Sequence, residues 1–154
     1  MIDIRFIERK DLPAVAALYQ QLMDKMTRLQ PKYYSNEPQD AEYFEQAFTD
    51  EAFDIFVADN GESVVGFAIV CERETPDVRC VVSHRYAYLA DIAVDEKYQG
   101  SGVGSALINA SKFWTKERGL DYLQLNVLAN NTDAIKVYEH LGFSDDTHIM
   151  RCKI

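Results

Sequence analysis

The stretch YLADIAVDEKYQGSGVGSAL, residues 88–107, constrains the chain more than any other. An apolar run of β-prone residues gives way to a short polar turn, to glycines at positions 100, 102 and 104, and then to apolar residues at helical spacing. Glycine accepts positive φ and lets a ligand approach the backbone, and a helix that starts there leaves its first N–H groups unpaired. A buried strand that ends in such a turn is an anion site suited to phosphate. Two common phosphate fingerprints do not fit: position 105 is Ser where G-x-G-x-x-G needs glycine, and no G-K-[ST] follows.

The remaining pattern predicts what surrounds that turn. With 154 residues, 47% of them hydrophobic, the chain suits a single domain with one sizeable core. Ile2, Ile4 and Phe6 alternate with Asp3 and Arg5 as in a strand. Leu12, Val15, Ala16, Tyr19, Leu22, Met23 and Met26 recur at helical spacing, with Asp11 placed to cap, Pro13 tolerated in the first turn and Pro31 beyond the end. Residues 30–40 read as a loop. Ala41, Phe44, Ala47 and Phe48 predict a second helix, whose aromatic residues suit either core packing or the lining of a pocket. A hairpin turning at Asn60-Gly61 joins strands at 54–58 and 64–72, and 86–94 is apolar enough for a central strand. A helix at 103–118 stops at Gly119, a strand covers 122–128, and Ala134, Val137, Tyr138 and Leu141 form one helical face that ends at Gly142. The closing HIMRCKI alternates like a last strand. This order is that of a mixed α/β domain.

Charge and cysteine usage narrow the partners. Sixteen Lys and Arg against 25 Asp and Glu give a net charge of -9, a field that repels nucleic acid and slightly favours a cationic amine. No apolar run approaches the roughly 18 residues of a membrane span, and the charged amino terminus has no apolar leader core, so no membrane partner and a cytoplasmic location are expected. Cys71, Cys80 and Cys152 are odd in number and lack C-x-x-C spacing, which predicts free, mostly buried thiols. His84 and His148 stand alone and read as structural or solvated, so no metal site is expected.

The turn also fits Q-x-x-G-x-G, as Gln99, Gly102 and Gly104, and NNTDAIKVYEHLGF fits N-x-x-A-x-x-x-Y-x-x-x-G-F, as Asn131, Ala134, Tyr138, Gly142 and Phe143. With these two blocks in this order, the chain resembles the GCN5-related N-acetyltransferase (GNAT) superfamily. The resemblance implies a largely antiparallel, twisted mixed sheet with helices on both faces and a splayed pair of parallel strands that holds CoA. It implies acetyl-CoA as co-substrate: the backbones of Ile92, Ala93 and Val94 along the pantetheine, the turn Gln99, Gly100, Ser101, Gly102, Val103 and Gly104 around the pyrophosphate, and Asn131 on the pantetheine arm or as a plain cap. Tyr138 sits where the family places a general acid for the departing thiol.

The base is open between Asp91, Glu72 on the neighbouring strand, and a water relay; some relatives carry a glutamate where this chain has Ala90. The function so implied is direct transfer of acetyl to a primary amine of a small molecule or peptide. Its alternative is a non-catalytic CoA-binding sensor on the same fold. Family habit also implies a homodimer through the sheet edge or the HIMRCKI strand.

Overall fold

Residues 1–154 are described by a computed structural model in which five strands lie side by side in chain order: β1 (Asp3–Phe6), β2 (Phe53–Asp59), β3 (Val64–Glu74), β4 (Arg85–Val94) and β5 (Leu123–Leu125). The first four pair antiparallel, and β5 runs parallel to β4. Helices α1 (Leu12–Leu29) and α2 (Ala41–Thr49) precede β2, α3 (Val103–Glu117) links β4 to β5, and α4 (Thr132–His140) follows β5.

Strand alternation divides the core into two layers. Phe53, Ile55, Val57, Phe67 and Ile69 face α1 and α2, where Val15, Leu18 and Phe44 meet them. Their neighbours Phe56, Ala58, Ala68 and Val70 face α3 through Val103, Leu107, Ile108 and Trp114. Each fully buried side chain of this kind, Phe67 for example, stabilises the fold by about 1.5–3 kcal/mol. Gly66 allows α3 to come close: a Cβ there would lie 3.1 Å from the Ala93 carbonyl oxygen and 3.2 Å from both Val103 Cγ1 and Leu107 Cδ1.

Asp11 does not cap α1 as its position predicts. A 3-10 turn at Arg9–Asp11 runs directly into the helix, so Asp11 itself is αR, and its buried carboxylate takes the Glu8 N–H (2.8 Å) and the Arg5 guanidinium (2.7 and 3.0 Å). Arg5 also reaches Asp59 at 2.8 Å, tying β1, the turn and β2 together.

Two strand predictions change. β5 covers only Leu123–Leu125, because its pairing with β4 stops at Leu89 opposite Leu125 and residues 126–128 leave the ladder to line a cleft. HIMRCKI forms no strand: no strand of the sheet pairs with residues 148–154, and Ile149, Met150 and Ile154 are exposed. Of the thiols, only Cys71 is half-buried; Cys80 and Cys152 are free but exposed, on loop and tail segments that no helix covers.

Candidate active site

Where β4 and β5 part, the gap opens into a cleft of about 760 Å3. One wall is β4 from Leu89 to Val94, and the other is 125–128 with Asn131, Ala134, Val137 and Tyr138. Gln99, Gly104 and Ile108 close one end, and Gln21, Leu22, Lys25, Met26, Arg28 and Leu29 of α1 lie across it. The end of α1 is pinned in place, since Asn130 Nδ2 donates to the Leu29 carbonyl at 2.8 Å.

The unpaired edge of β4 carries backbone groups that point into the gap. The Asp95 N–H donates to Val65 on β3, so alternation turns the N–H and C=O of Val94 and Ile92 the other way. Ala93 lies between them, with its side chain against the α1 and α2 layer. Gln99 folds back so that its Nε2 donates to the Val94 carbonyl at 3.3 Å, a side-chain role not foreseen for it.

Beyond β4, Gly100 and Gly102 take φ of +77° and +88°, which glycine adopts without strain. Gly102 is the N-cap of α3 with no side chain over the helix start, and the N–H groups of Gln99, Gly100, Gly102, Val103, Gly104 and Ser105 have no acceptor within the protein. The Ser101 N–H instead donates to the Tyr98 carbonyl, and Val103 is buried with its side chain in the core. A Cβ on Gly104 would meet nothing nearer than Val94 Cγ2 at 3.8 Å, so the glycine leaves open space beside the turn. Free N–H groups at a helix start form a hollow for an anion.

A β-bulge decides where Asp91 points. Ile69 pairs with Asp91 but Val70 pairs with Leu89, which leaves Ala90 as an extra residue in β4. Alternation slips by one there: Leu89 and Ile92 pack in the α3 layer, while Ala90 and Ala93 pack in the α1 and α2 layer. Asp91 joins the latter, and its Oδ2 accepts a 2.5 Å hydrogen bond from the Tyr43 hydroxyl of α2. Its Oδ1 takes no hydrogen bond, yet it is not among the buried unpartnered atoms, and Asp91 lines the cleft. Burial raises the carboxyl above the usual carboxylate range, and the Tyr43 hydrogen bond partly offsets this.

Tyr138 comes from the other side. It projects from α4 toward the α3 layer, edge-on to Phe143 at 5.9 Å, and lines the cleft with no hydrogen bond to its hydroxyl. Burial raises its pKa, so the phenol keeps its proton at neutral pH. Asn131 occupies the N-cap position of α4 but makes no cap bond, and it lines the cleft instead. Glu72 is not in the cleft. It lies between Arg85 and Arg118, 3.4 Å from the latter, on the ladder opposite Ala87, and those cations use both of its oxygens. His84 pairs with Asp121 at 2.7 Å on the surface.

Three residues of this region are not singled out by the sequence: Tyr43 and Gln21 are not marked by any pattern, and Tyr19 is only one position on the helical face of α1. Gln21 Nε2 donates to Asp95 Oδ2 at 3.3 Å, while its Oε1 is buried without a partner.

Comparison with known proteins identifies the family and the fold. Residues 16–143 match the family described as Acetyltransferase (GNAT) family. The chain is 30% identical over 143 residues to an uncharacterized N-acetyltransferase of Methanocaldococcus jannaschii, a match covering 92% of this chain and 60% of the relative. It is 35% identical over 96 residues to N-alpha-acetyltransferase 30 of Homo sapiens; that match covers 62% of this chain and only 25% of the human protein, so the chain spans about a quarter of that relative's length. Among solved structures, a mutant of the BH1408 protein from Bacillus halodurans is similar in fold, with a TM-score of 0.93 at 24% identity over 99% of each chain. Aminoglycoside N-acetyltransferase AAC(6')-Iy, solved in complex with CoA, is similar with a TM-score of 0.74 at 24% identity over 99% of this chain and 98% of that one.

Proposed function

This chain belongs to the acetyltransferase (GNAT) family, and from that premise we propose that it moves an acetyl group from acetyl-CoA directly to a primary amine of a small molecule or peptide within a ternary complex. The observation that carries the reading is one cleft lined by the Asp91 carboxyl, the Tyr138 phenol and an unpaired strand edge, with acceptor-free N–H groups at its end. N-acetyltransferase relatives support it, as does the CoA complex of AAC(6')-Iy.

The residues fit acetyl-CoA. The six N–H groups without acceptors from Gln99 to Ser105 suit a pyrophosphate, and Ile92 and Val94 present a strand edge on which an amide-bearing arm can add. Asn131 completes that wall. Bound there, acetyl-CoA supplies an activated thioester.

The chain supplies the rest. Asp91 takes a proton from the acceptor ammonium, which frees the nitrogen lone pair for attack on the thioester carbon. The N–H of Ile92 donates to the carbonyl oxygen as negative charge builds on it. Tyr138 gives its proton to the departing sulfur as the carbon–sulfur bond breaks. Base and acid reach the gap from opposite sides of the sheet, which suits an amine that arrives from one side and a thiol that leaves on the other.

The test begins with melting in the presence of acetyl-CoA. At about a hundredfold excess over Kd, binding stabilises by roughly 2.7 kcal/mol, a rise in Tm of about 5–10 °C. CoA release is then followed with n-butylamine, spermidine, sisomicin and a hexapeptide with a free amino terminus. No shift in Tm removes the cofactor assignment; a shift without CoA release from any amine favours a CoA-binding sensor.

A further inference from the structure

The Asp91 carboxylate is backed by α2. Tyr43 lies behind Asp91, outside the cleft, and its hydroxyl is the one hydrogen-bond donor on the Asp91 side chain. Its ring is held edge-on by Tyr19 (6.0 Å), Phe44 (5.5 Å) and Phe53 (5.8 Å), so its position is set by aromatic packing between α1, α2 and β2. Tyr19 is in turn held by Gln39, whose Nε2 donates to the Tyr19 hydroxyl at 3.2 Å. With Oδ2 occupied and Oδ1 open to the cleft, the carboxylate has one free acceptor with one direction.

We propose that Tyr43 is the positioning residue that aims Asp91 Oδ1 at the acceptor amine, so that α2 takes part in acetyl transfer without touching either substrate. This inference rests on the acetyltransferase reading above. The Tyr43 hydrogen bond favours the charged form of Asp91, against the burial that disfavours it, and so widens the pH range in which Asp91 can accept a proton. Tyr43 keeps its own proton because burial and the Asp91 charge both raise its pKa. The other titratable groups that face Asp91 or line its cleft are Tyr19, Lys25 and Arg28 of α1, Cys71 of β3, Tyr88 of β4, with Arg73 stacked 3.8 Å over its ring, Glu96 just beyond β4, and Tyr138 of α4; none of them makes a hydrogen bond to the Asp91 carboxylate.

The experiment compares the full chain with Tyr43→Phe and Asp91→Asn. The pH profile of kcat/KM is measured with the fastest amine of the panel, and the Asp91 carboxyl is titrated by 13C NMR. Phenylalanine keeps the aromatic packing and removes only the hydroxyl. The expected result is that Tyr43→Phe moves the acid limb of the profile up by about one pH unit, with the NMR midpoint moving by the same amount. KM for acetyl-CoA and the Tm rise it produces stay unchanged. The amine's own ionisation is common to all three proteins and cancels in the comparison. If Asp91→Asn removes the limb while Tyr43→Phe lowers Tm and leaves the limb in place, Tyr43 is only structural and the proposal is wrong. If Asp91→Asn leaves the limb intact, or if no amine of the panel releases CoA, the base assignment or the activity falls and takes this inference with it.

Discussion

Asp91 and Tyr138 line the same cleft although they belong to opposite layers of the sheet, Asp91 bonded to Tyr43 below α1 and α2, Tyr138 packed toward α3. The extra residue Ala90 turns Asp91 to its side, and the parting of β4 from β5 lets both residues reach the gap. In the proposed reaction this sets a proton acceptor and a proton donor on opposite sides of the cleft.

Tyr138→Phe should lower kcat by about a hundredfold, the lower range for loss of a general acid, with little change in KM for acetyl-CoA. Because the Tyr138 hydroxyl has no hydrogen-bond partner, Tm should be unchanged. Steady-state kinetics together with a melting curve checks this; an unaltered kcat would leave Tyr138 as a packing residue.

Asp91 should cost the protein stability at neutral pH. Its folded-state pKa is raised, chiefly by burial, so the favourable contribution belongs to the protonated form: it is present below the ordinary carboxylate pKa and lost as pH rises through the folded value. Asp91→Asn should therefore raise Tm more at pH 7 than at pH 3.5. A Tm difference that does not change with pH would contradict the assigned direction.

Asp11 has the opposite sign. The Arg5 guanidinium is the main cause that holds its carboxyl below the usual range, with the Glu8 N–H adding to it. Its stabilising contribution is present above the unfolded carboxylate pKa and disappears as pH falls through the lower folded value. Asp11→Asn should thus reduce stability at pH 7 and flatten the loss of stability below about pH 4, measured by urea unfolding across pH 2 to 7.

Two glycines should separate fold from binding. At Gly66 a Cβ would press on the Ala93 carbonyl and on two side chains of α3, so Gly66→Ala should cost about 1–3 kcal/mol and lower Tm by on the order of 5 °C. At Gly104 the protein itself leaves room for a Cβ, so Gly104→Ala should melt near the parent temperature yet weaken the Tm rise with acetyl-CoA, because the new methyl group enters the space beside the turn. The reverse pattern in the two melting series would refute the placement of the cofactor.

Much of this protein is legible in the chain because it depends on local order. The strand–turn–helix at 88–107 shows in apolar spacing and in glycines that the backbone itself requires, and the positive φ of Gly100 and Gly102 follows from contacts within a few residues. The helical face of α4 and the position of Tyr138 follow from the same kind of periodicity. Asp91 could be named as a carboxylate on the central strand, but not its direction: a bulge is visible only as a slip against β3, which is a partner residue by residue and not a pattern in one strand. Glu72, an alternative base in the sequence, is taken up by Arg85 and by Arg118 from the end of α3, the latter a meeting across 46 positions. Tyr43 and Asp91 are 48 residues apart, and neither carries a mark of the other. Local sequence determined most of the helices and strands and where the glycine turn lies; only the packing of α1 and α2 onto a bulged, splayed sheet decided that Asp91, and not Glu72, faces the gap, because side-chain direction depends on pairing between distant segments.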